Sequence, residues 1–183
     1  MNLNLKFILM LFLLIVSSKV FAENEKCEYC IPNGSNITCE EIKEALNLIN
    51  NKIRAEVKVQ PLSWDCSLAE GSQKWAEKLT DLGYLEHSKD RNYGENLYMF
   101  YSSYGAIPPL KNAILSWYSE KKDFVYGEKY WCKTGKICGH YTQLVWSDTE
   151  KIGCGKAKKD NKVFIVCRFY PAGNWIGKQP YKK

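Results

Sequence analysis

The sequence predicts an α/β protein, a three-layer α/β/α sandwich with a short antiparallel sheet and a disulfide-rich N-terminal leader. Three observations favour this fold. Three segments repeat apolar residues at helical spacing, several short segments are rich in β-branched and aromatic residues, and all eight cysteines follow residue 22. Helices on both faces of a short sheet bury the apolar surface of each layer. A chain of 183 residues is long enough for one such domain.

The N-terminal segment 1–22 has the pattern of a secretory signal peptide. Lys6 supplies a positive charge, residues 7–16 are an unbroken apolar run, and Val20 and Ala22 suit a cleavage site. A membrane-spanning helix would need about 20 apolar residues, roughly twice the length of this run. We therefore expect cleavage after Ala22, secretion into the extracellular space, and a mature chain without a transmembrane segment.

Residues 23–38 are predicted to be a cysteine-rich, loop-rich leader. An even number of cysteines in an exported chain predicts disulfides, whereas a zinc ribbon needs two close pairs and only Cys27 and Cys30 have that spacing. Glycosylation sequons at Asn33 and Asn36 indicate an exposed loop. The two sequons are too close together for both to be filled.

Three helices are predicted along the following chain. The first begins at a capping box of Thr38 and Glu41 and continues to Arg54. The second carries an apolar stripe over residues 68–79. The third starts after a Pro-Pro pair and covers about residues 110–122.

Four segments have the composition of β-strands, namely 97–101, 143–146, 152–157 and 163–169. The last two flank a polar stretch that suits a hairpin turn, so Cys154 and Cys167 are expected on paired strands and close enough to form a disulfide. No repeat or linker divides the sequence, and residues 39–183 are therefore predicted to be a single domain.

The formal net charge is +6, and it falls to +4 when Lys6 and Lys19 leave with the signal peptide. Basic residues are scattered among acidic ones along the sequence, without a clustered Lys/Arg run, so nucleic acid is not an expected partner. The charge is compatible with a weak attraction to acidic cell surfaces.

Two histidines and two glutamates are the candidate functional residues: His87, Glu95, Glu120 and His140. Imidazoles together with carboxylates suit a zinc ion or acid/base catalysis. A lone histidine is more often a structural residue, and spacing alone does not bring these four together. Their significance depends on the motifs in which they stand.

Those motifs resemble the family that unites cysteine-rich secretory proteins, venom antigen 5 and plant pathogenesis-related 1 proteins. Residues 139–146, GHYTQLVW, resemble its first signature, and residues 164–175, FIVCRFYPAGNW, resemble its second. Three further blocks stand in the family's order, LEHS at 85–88, YGENL at 93–97 and SWYSE at 116–120. The resemblance extends over roughly residues 39–181, and five blocks in the same order make it specific. Two positions depart from the family pattern, because Asn50 replaces a common histidine and Phe169 replaces a tyrosine.

The resemblance implies an α/β/α sandwich with a large central cleft, in which His87, Glu95, Glu120 and His140 match a conserved tetrad. It implies that zinc binds the two histidines. With only two protein nitrogens, we expect that site to be weak and exchangeable. Members of the family act as venom allergens, parasite or salivary factors, plant defence proteins and lipid carriers, so the partner is expected to be an extracellular protein or lipid.

The resemblance also bears on the cysteines and on one aromatic segment. The six-residue spacing of Cys132 and Cys138 resembles a bridge of the plant members. Three connectivities are open for Cys27, Cys30, Cys39 and Cys66, and a Cys27–Cys39 bridge resembles the leader of venom antigen 5. The aromatic residues Phe124, Tyr126, Tyr130 and Trp131 are candidates for lipid binding, because Phe124, Tyr126 and Trp131 fit a loose caveolin-binding pattern that the family has near its sterol site. Alternatively, these rings hold a loop against the core.

Between an enzyme and a binding protein, the sequence favours the binding protein. The tetrad could act as a zinc-dependent or acid/base hydrolase, which is the alternative function, but no nucleophile is evident. Ser88 adjoins His87, and neighbouring side chains on an extended chain point to opposite sides. Neither a Gly-x-Ser-x-Gly elbow nor a His-Glu-x-x-His helix occurs in the sequence.

Overall fold

The computed structural model describes residues 27–129 and 131–183. The predicted signal peptide and Tyr130 lie outside the described residues. The helices and strands lie between Cys39 and Tyr170. Apolar cores lie on both faces of the sheet, which therefore runs through the middle of the molecule.

The sheet of the described chain has four strands in the order β1, β3, β4, β2. The long hairpin of β3 (Lys151–Lys159) and β4 (Lys162–Tyr170) forms its centre. β2 (Gly94–Tyr101) pairs antiparallel with β4 at one edge, and the two-residue β1 (Ser63–Trp64) pairs parallel with β3 at the other. The predicted antiparallel sheet is therefore present, with one short parallel strand that the sequence pattern did not indicate.

In the part of the chain that the structure describes, four α-helices pack on this sheet: α1 (Cys39–Asn47), α2 (Cys66–Leu82), α3 (Leu110–Ser119) and α4 (Gly139–Leu144). α1 begins at the predicted capping box of Thr38 and Glu41 and continues as a π-helix over Leu48–Arg54. α3 is followed by a 3₁₀ turn over Glu120–Asp123, so the predicted third helix changes its winding near its end.

The side chains of β4 show how the layers are built. Ile165 and Cys167 point into the larger core, which contains apolar residues of α1, α3 and α4. Phe164 and Val166 point to the opposite face and pack with residues of α2. Because successive side chains of a strand alternate between faces, this continuous apolar run serves both cores. The predicted α/β/α sandwich is confirmed.

Two glycines allow α2 to lie directly on the central hairpin. A Cβ atom on Gly153 would lie 2.2 Å from the backbone nitrogen of Ala69, and one on Gly155 would lie 2.2 Å from that of Gln73. Both neighbours are helix backbone atoms and cannot turn aside as a flexible side chain could. The absence of a side chain at these two positions therefore sets the distance between helix and sheet.

One predicted strand is wrong. Residues 143–146 were expected to be β, but α4 extends to Leu144 and the chain then turns. A short apolar run has no periodicity that separates a strand from a buried helix. The helix is stabilised by a contact distant in sequence, since the Glu120 carboxylate accepts hydrogen bonds from the backbone N–H groups of His140 and Tyr141.

The eight cysteines form four disulfides. Cys154–Cys167 joins directly paired residues of the hairpin, and Cys132–Cys138 closes a short loop. The three connectivities left open for the leader resolve to Cys27–Cys39 and Cys30–Cys66. These two bridges attach the leader to the first residues of α1 and α2.

Within the described ranges, every helix is too short or too polar to cross a lipid bilayer.

Candidate functional site

The first half of the candidate site is the pair His140 and Glu120. His140 is the second residue of α4, and Glu120 opens the 3₁₀ turn after α3. The Nδ1 atom of His140 lies 2.6 Å from Oε1 of Glu120, and the other carboxylate oxygen accepts the His140 N–H at 3.0 Å. The indole of Trp117 stacks on the imidazole with 6.0 Å between ring centroids. These contacts fix the orientation of the ring.

The second half is the pair His87 and Glu95. Glu95 lies at the start of β2, and His87 lies in the loop after α2. Oε1 of Glu95 is 2.9 Å from Nδ1 of His87 and accepts the backbone N–H of Ser88 at 2.9 Å. The Glu95 side chain is 7% exposed, whereas that of His87 is 61% exposed. The imidazole is therefore held from the protein side and open on its other side.

The environment of Glu95 favours the ionised carboxylate. Burial alone would raise the pKa of Glu95, but hydrogen bonds from His87 and Ser88 outweigh it and lower the pKa below the ordinary value. Arg168 is the direct partner of Glu95 across β2 and β4, with its Nε atom 3.6 Å from Oε2. At that distance the two groups form an ion pair rather than a hydrogen bond. Neither Arg168 Nε nor Glu95 Oε2 has a hydrogen-bond partner among the described residues.

Both histidine–glutamate pairs lie at the Gly94 end of β2. Glu95 belongs to one pair, and the side chain of the next residue, Asn96, donates a hydrogen bond to the backbone oxygen of His140 at 3.1 Å. Of the residues the structure describes, no three His, Cys, Asp or Glu side chains are placed to hold one metal ion. The tetrad is therefore arranged as two pairs.

The donor atoms of this arrangement fit a zinc site with two imidazole ligands. Each ring uses Nδ1 for a carboxylate, which leaves Nε2 for a metal, and a carboxylate on the second ring nitrogen is the usual support of a zinc-bound histidine. Two protein nitrogens would leave the remaining positions to water or a partner, in contrast to a closed structural site.

The same contacts give no activated nucleophile among the described residues. Ser88 donates its backbone N–H to Glu95 at 2.9 Å, and it makes no hydrogen bond to the ring of His87. All eight cysteines are disulfide-bonded. A covalent mechanism of the serine or cysteine type has no residue to begin it here.

The aromatic segment packs against the core. The ring of Phe124 contacts those of Tyr126, Tyr141 and Tyr181, with centroids 5.4 to 6.4 Å apart. Trp131 is 7% exposed and packs edge-on against Trp146. A ligand could reach these rings only if the segment moved away.

A groove of about 440 Å³ lies apart from both histidine pairs, between α1 and α3. Leu48 and Leu115 supply apolar surface, and Lys43, Lys52 and Lys111 stand among the polar residues that line it. The sequence pattern gives no indication of this groove, because its two walls come from helices that are distant in the chain.

Sequence reasoning also missed the residues that hold the tetrad in place, namely Trp117, Asn96, Arg168 and Asn174. Trp117 and Asn96 stand inside the motif blocks beside Glu120 and Glu95, which was an available signal. The role of Arg168 follows only from strand register. Asn174 donates to the backbone oxygen of Gly139 at 2.8 Å and accepts from the Thr142 hydroxyl, so it fastens α4 to the segment after β4.

Comparison with known proteins gives a consistent result. The model of the cysteine-rich secretory protein family, CAP, matches residues 46–169. A pathogenesis-related leaf protein 4 of Solanum lycopersicum is 40% identical over 134 residues, which are 73% of this chain and 79% of that protein. A pathogenesis-related protein PR-1 of Medicago truncatula is 35% identical over 173 residues, covering 93% and 95% of the two chains.

Solved structures with the same fold include two venom-allergen-like proteins and a zinc complex. The structure of NaASP2 with Zn²⁺ has a TM-score of 0.67 at 25% identity and covers 84% of this chain and 90% of that one. BmVAL-1 has a TM-score of 0.68 at 25% identity, with 84% and 87% covered. The venom allergen-like protein 4 of Schistosoma mansoni has a TM-score of 0.60 at 26% identity, with 76% and 92% covered.

Proposed function

Because the chain belongs to the cysteine-rich secretory protein family, we propose that it is a secreted, extracellular binding protein of a defence or host-directed kind. Its site is the pair of histidines at the Gly94 end of β2, which together bind zinc weakly and reversibly. The observation that carries the proposal is the matched geometry of His87 and His140. In both, Nδ1 faces a carboxylate and Nε2 is left to a ligand.

Other features support an extracellular binding protein over a hydrolase. Four disulfides suit an oxidising compartment. The plant relatives are named for pathogenesis, and one structural neighbour was crystallised with zinc. The contacts of Ser88 and the cysteines supply no nucleophile to either histidine. When bound, zinc would provide a positive centre for a partner's carboxylate or carbonyl oxygen, and Glu95 and Glu120 keep the rings oriented toward it.

Calorimetric titration with zinc tests the site. The chain has only two histidines, so tag-free protein has no other imidazole that could bind the metal. We expect binding at neutral pH that is lost in both His87→Ala and His140→Ala, with unchanged thermal melting of the metal-free variants. Glu95→Gln and Glu120→Gln should weaken binding about 10-fold or more, because they remove the support of each ring. Protons compete for the same nitrogens, so affinity should fall as the solution is acidified.

Two results would contradict the proposal. If either single histidine variant binds zinc as tightly as the wild type, the two rings do not form one site. If the wild type hydrolyses peptides or esters with zinc and His140→Ala does not, the hydrolase function replaces the binding function.

A further inference from the structure

A second surface stands out by its charge. Two segments, residues 121–137 without Tyr130 and residues 174–183, lie side by side, and we call their joint surface the basic face. Trp131 of the first donates its indole N–H to the backbone oxygen of Lys178 at 2.7 Å, and the Gly127 N–H donates to the Gln179 side chain at 3.1 Å. The two segments are therefore fastened together although the whole central hairpin separates them in the chain.

The basic face carries the whole net charge of the chain. Its segments hold 8 of the 26 basic residues and 2 of the 20 acidic ones, which gives +6, while the rest of the chain has 18 of each. Without Lys6 and Lys19 of the predicted signal peptide, the rest has 16 basic and 18 acidic residues. Lys121 is paired with Glu56 of the first helical region. The other lysines are exposed: Lys122, Lys129, Lys133, Lys136, Lys178, Lys182 and Lys183. In the linear sequence these residues look scattered, and only the fold brings them together.

Three large apolar side chains protrude from the same face. Ile137 is 68% exposed, Trp175 is 55% exposed and Ile176 is 69% exposed. The hydrogen bond from Asn174 to the backbone oxygen of Gly139 places residues 175 and 176 beside the loop that ends in Ile137. Lys136 and Lys178 flank this apolar group in sequence. Exposed apolar side chains that are grouped on one surface indicate an interaction site.

We propose that the basic face docks the protein on the surface of an anionic lipid bilayer. Lysines attract anionic headgroups over about a Debye length, and a tryptophan with neighbouring isoleucines enters the boundary between headgroups and acyl chains. Tryptophan is favoured at that boundary because its ring is apolar and its N–H is polar. A free polyanion such as a sulfated polysaccharide would use the lysines and leave Ile137, Trp175 and Ile176 in water. The inference is independent of the metal site.

Cosedimentation with vesicles tests the docking. The probes are vesicles of phosphatidylcholine alone and of phosphatidylcholine with about 30% phosphatidylserine. The wild type should bind the anionic vesicles at roughly 0.1 M salt and at least about tenfold more weakly at 0.5 M, since added salt screens the lysines. The charge variant Lys133→Glu, Lys136→Glu, Lys178→Glu should lose at least about tenfold in affinity. The matched control, Lys43→Glu, Lys74→Glu, Lys78→Glu, makes the same change in net charge on exposed positions of α1 and α2 and should lose much less.

The apolar side chains are tested by Ile137→Ser, Trp175→Ser, Ile176→Ser, which should also weaken binding about tenfold while keeping its salt dependence. Tyr101→Ser with Tyr104→Ser, two exposed residues elsewhere, serves as the control and should bind like the wild type. Brominated lipids should quench wild-type fluorescence and quench Trp175→Phe less. Circular dichroism and zinc titration of each variant should match the wild type, which separates failure of docking from failure of the metal site.

The proposal is overturned if the charge variant and its control bind the anionic vesicles equally. It is also overturned if the wild type binds heparin but not vesicles, or if the apolar variant binds vesicles as the wild type does. The heparin result would assign the basic face to a soluble polyanion. The other two results would show that the lysines of this face, or its apolar side chains, do not dock the protein on the bilayer.

Discussion

Arg54 shows at the scale of one residue how a buried charge organises the fold. Its side chain is fully buried at the end of the first helical region, and it donates hydrogen bonds to the backbone oxygens of Gln60, Leu144, Trp146 and Thr149. Burial lowers the pKa of Arg54 to about 10, which still leaves the guanidinium charged at neutral pH. One side chain thereby closes the turn after the first helix and fixes the chain that leaves α4.

Replacing Arg54 should be among the most destabilising single changes. Arg54→Met removes four hydrogen bonds to backbone oxygens, of which, among the described residues, only the Trp146 oxygen keeps another donor, the N–H of Thr149. We expect a loss of about 3 kcal/mol or more in the free energy of unfolding. Arg54→Lys should recover only part of the lost stability, because an ammonium group cannot reach all four oxygens that the planar guanidinium binds. Urea denaturation measures both, and Arg91→Met, at an exposed loop position, should change stability by less than about 0.5 kcal/mol. Equal stability of Arg54→Met and Arg91→Met would show that the hydrogen bonds of Arg54 do not stabilise the fold in this way.

Asn50 is another side chain of the first helical region that binds backbone groups distant in the chain. It stands where the family commonly has histidine, and its amide donates to the Leu62 backbone oxygen at 2.8 Å and accepts the Leu62 N–H at 2.7 Å. An amide side chain can both donate and accept, and here it pairs with a peptide unit. The departure from the family pattern is thus compensated locally.

At the scale of elements, the segment from Phe124 to Trp131 would have to move if it were to bind a lipid. It is held by the ring contacts of Phe124, by an isolated bridge between Phe124 and Cys132, and by the buried Trp131. Tyr130, the fourth aromatic residue proposed for lipid binding, lies outside the described residues. The structure favours the interpretation that these rings hold a loop, and lipid binding would require them to be released.

The lipid binding expected from the sequence at this segment predicts that Phe124→Ser with Tyr126→Ser abolishes sterol or fatty-acid binding. The reason is that the released segment would lose its apolar surface, while the Cys132–Cys138 disulfide still closes the neighbouring loop. Binding of radiolabelled sterol or fatty acid measures the effect, and a single cooperative melting transition shows that the fold is retained. Tyr101→Ser with Tyr104→Ser is the matched control. Equal binding by both double variants, or none by the wild type, excludes this segment as a lipid site.

At the scale of the whole molecule, acid stability depends on carboxylates that belong to different elements. The pKa of Asp65 is lowered chiefly by the N–H of Leu68, which it caps at the start of α2, and then by Lys151 of β3. The pKa of Glu56 is lowered chiefly by Lys121. The pKa of Glu95 is lowered despite its burial. Each of these three carboxyl groups holds its proton less tightly in the folded protein than in the unfolded chain.

The sign of the pH dependence follows from these directions. The contribution to stability is complete above the ordinary values of 4.5 for Glu and 3.8 for Asp, and it is lost as pH falls through the lower folded values. We therefore expect the free energy of unfolding to decline progressively below about pH 4.5. Asp65→Asn keeps a good helix cap but has no charge to lose, so its decline should be shallower. Urea denaturation at a series of pH values measures this, and parallel curves for the two proteins would contradict it.

Elements whose cause is local could be predicted from the sequence alone. The capping box of Thr38 and Glu41 began the first helix, the apolar stripe at 68–79 predicted α2, and the β-branched runs at 152–157 and 163–169 predicted the central hairpin with its disulfide. The motif order also indicated which four residues form the candidate site, although their metal binding remains a prediction.

Features that depend on contacts between distant segments required the tertiary structure. Residues 143–146 contain no periodicity that separates helix from strand, and Glu120, which lies far from them along the chain, caps α4. The pairing of His87 with Glu95 and of His140 with Glu120 depends on where β2 and α4 lie. The basic face exists because two segments on either side of the central hairpin are hydrogen-bonded together. Spacing along a chain records the interactions of neighbours, whereas charge clusters and ligand sets arise from distances in space that only folding fixes.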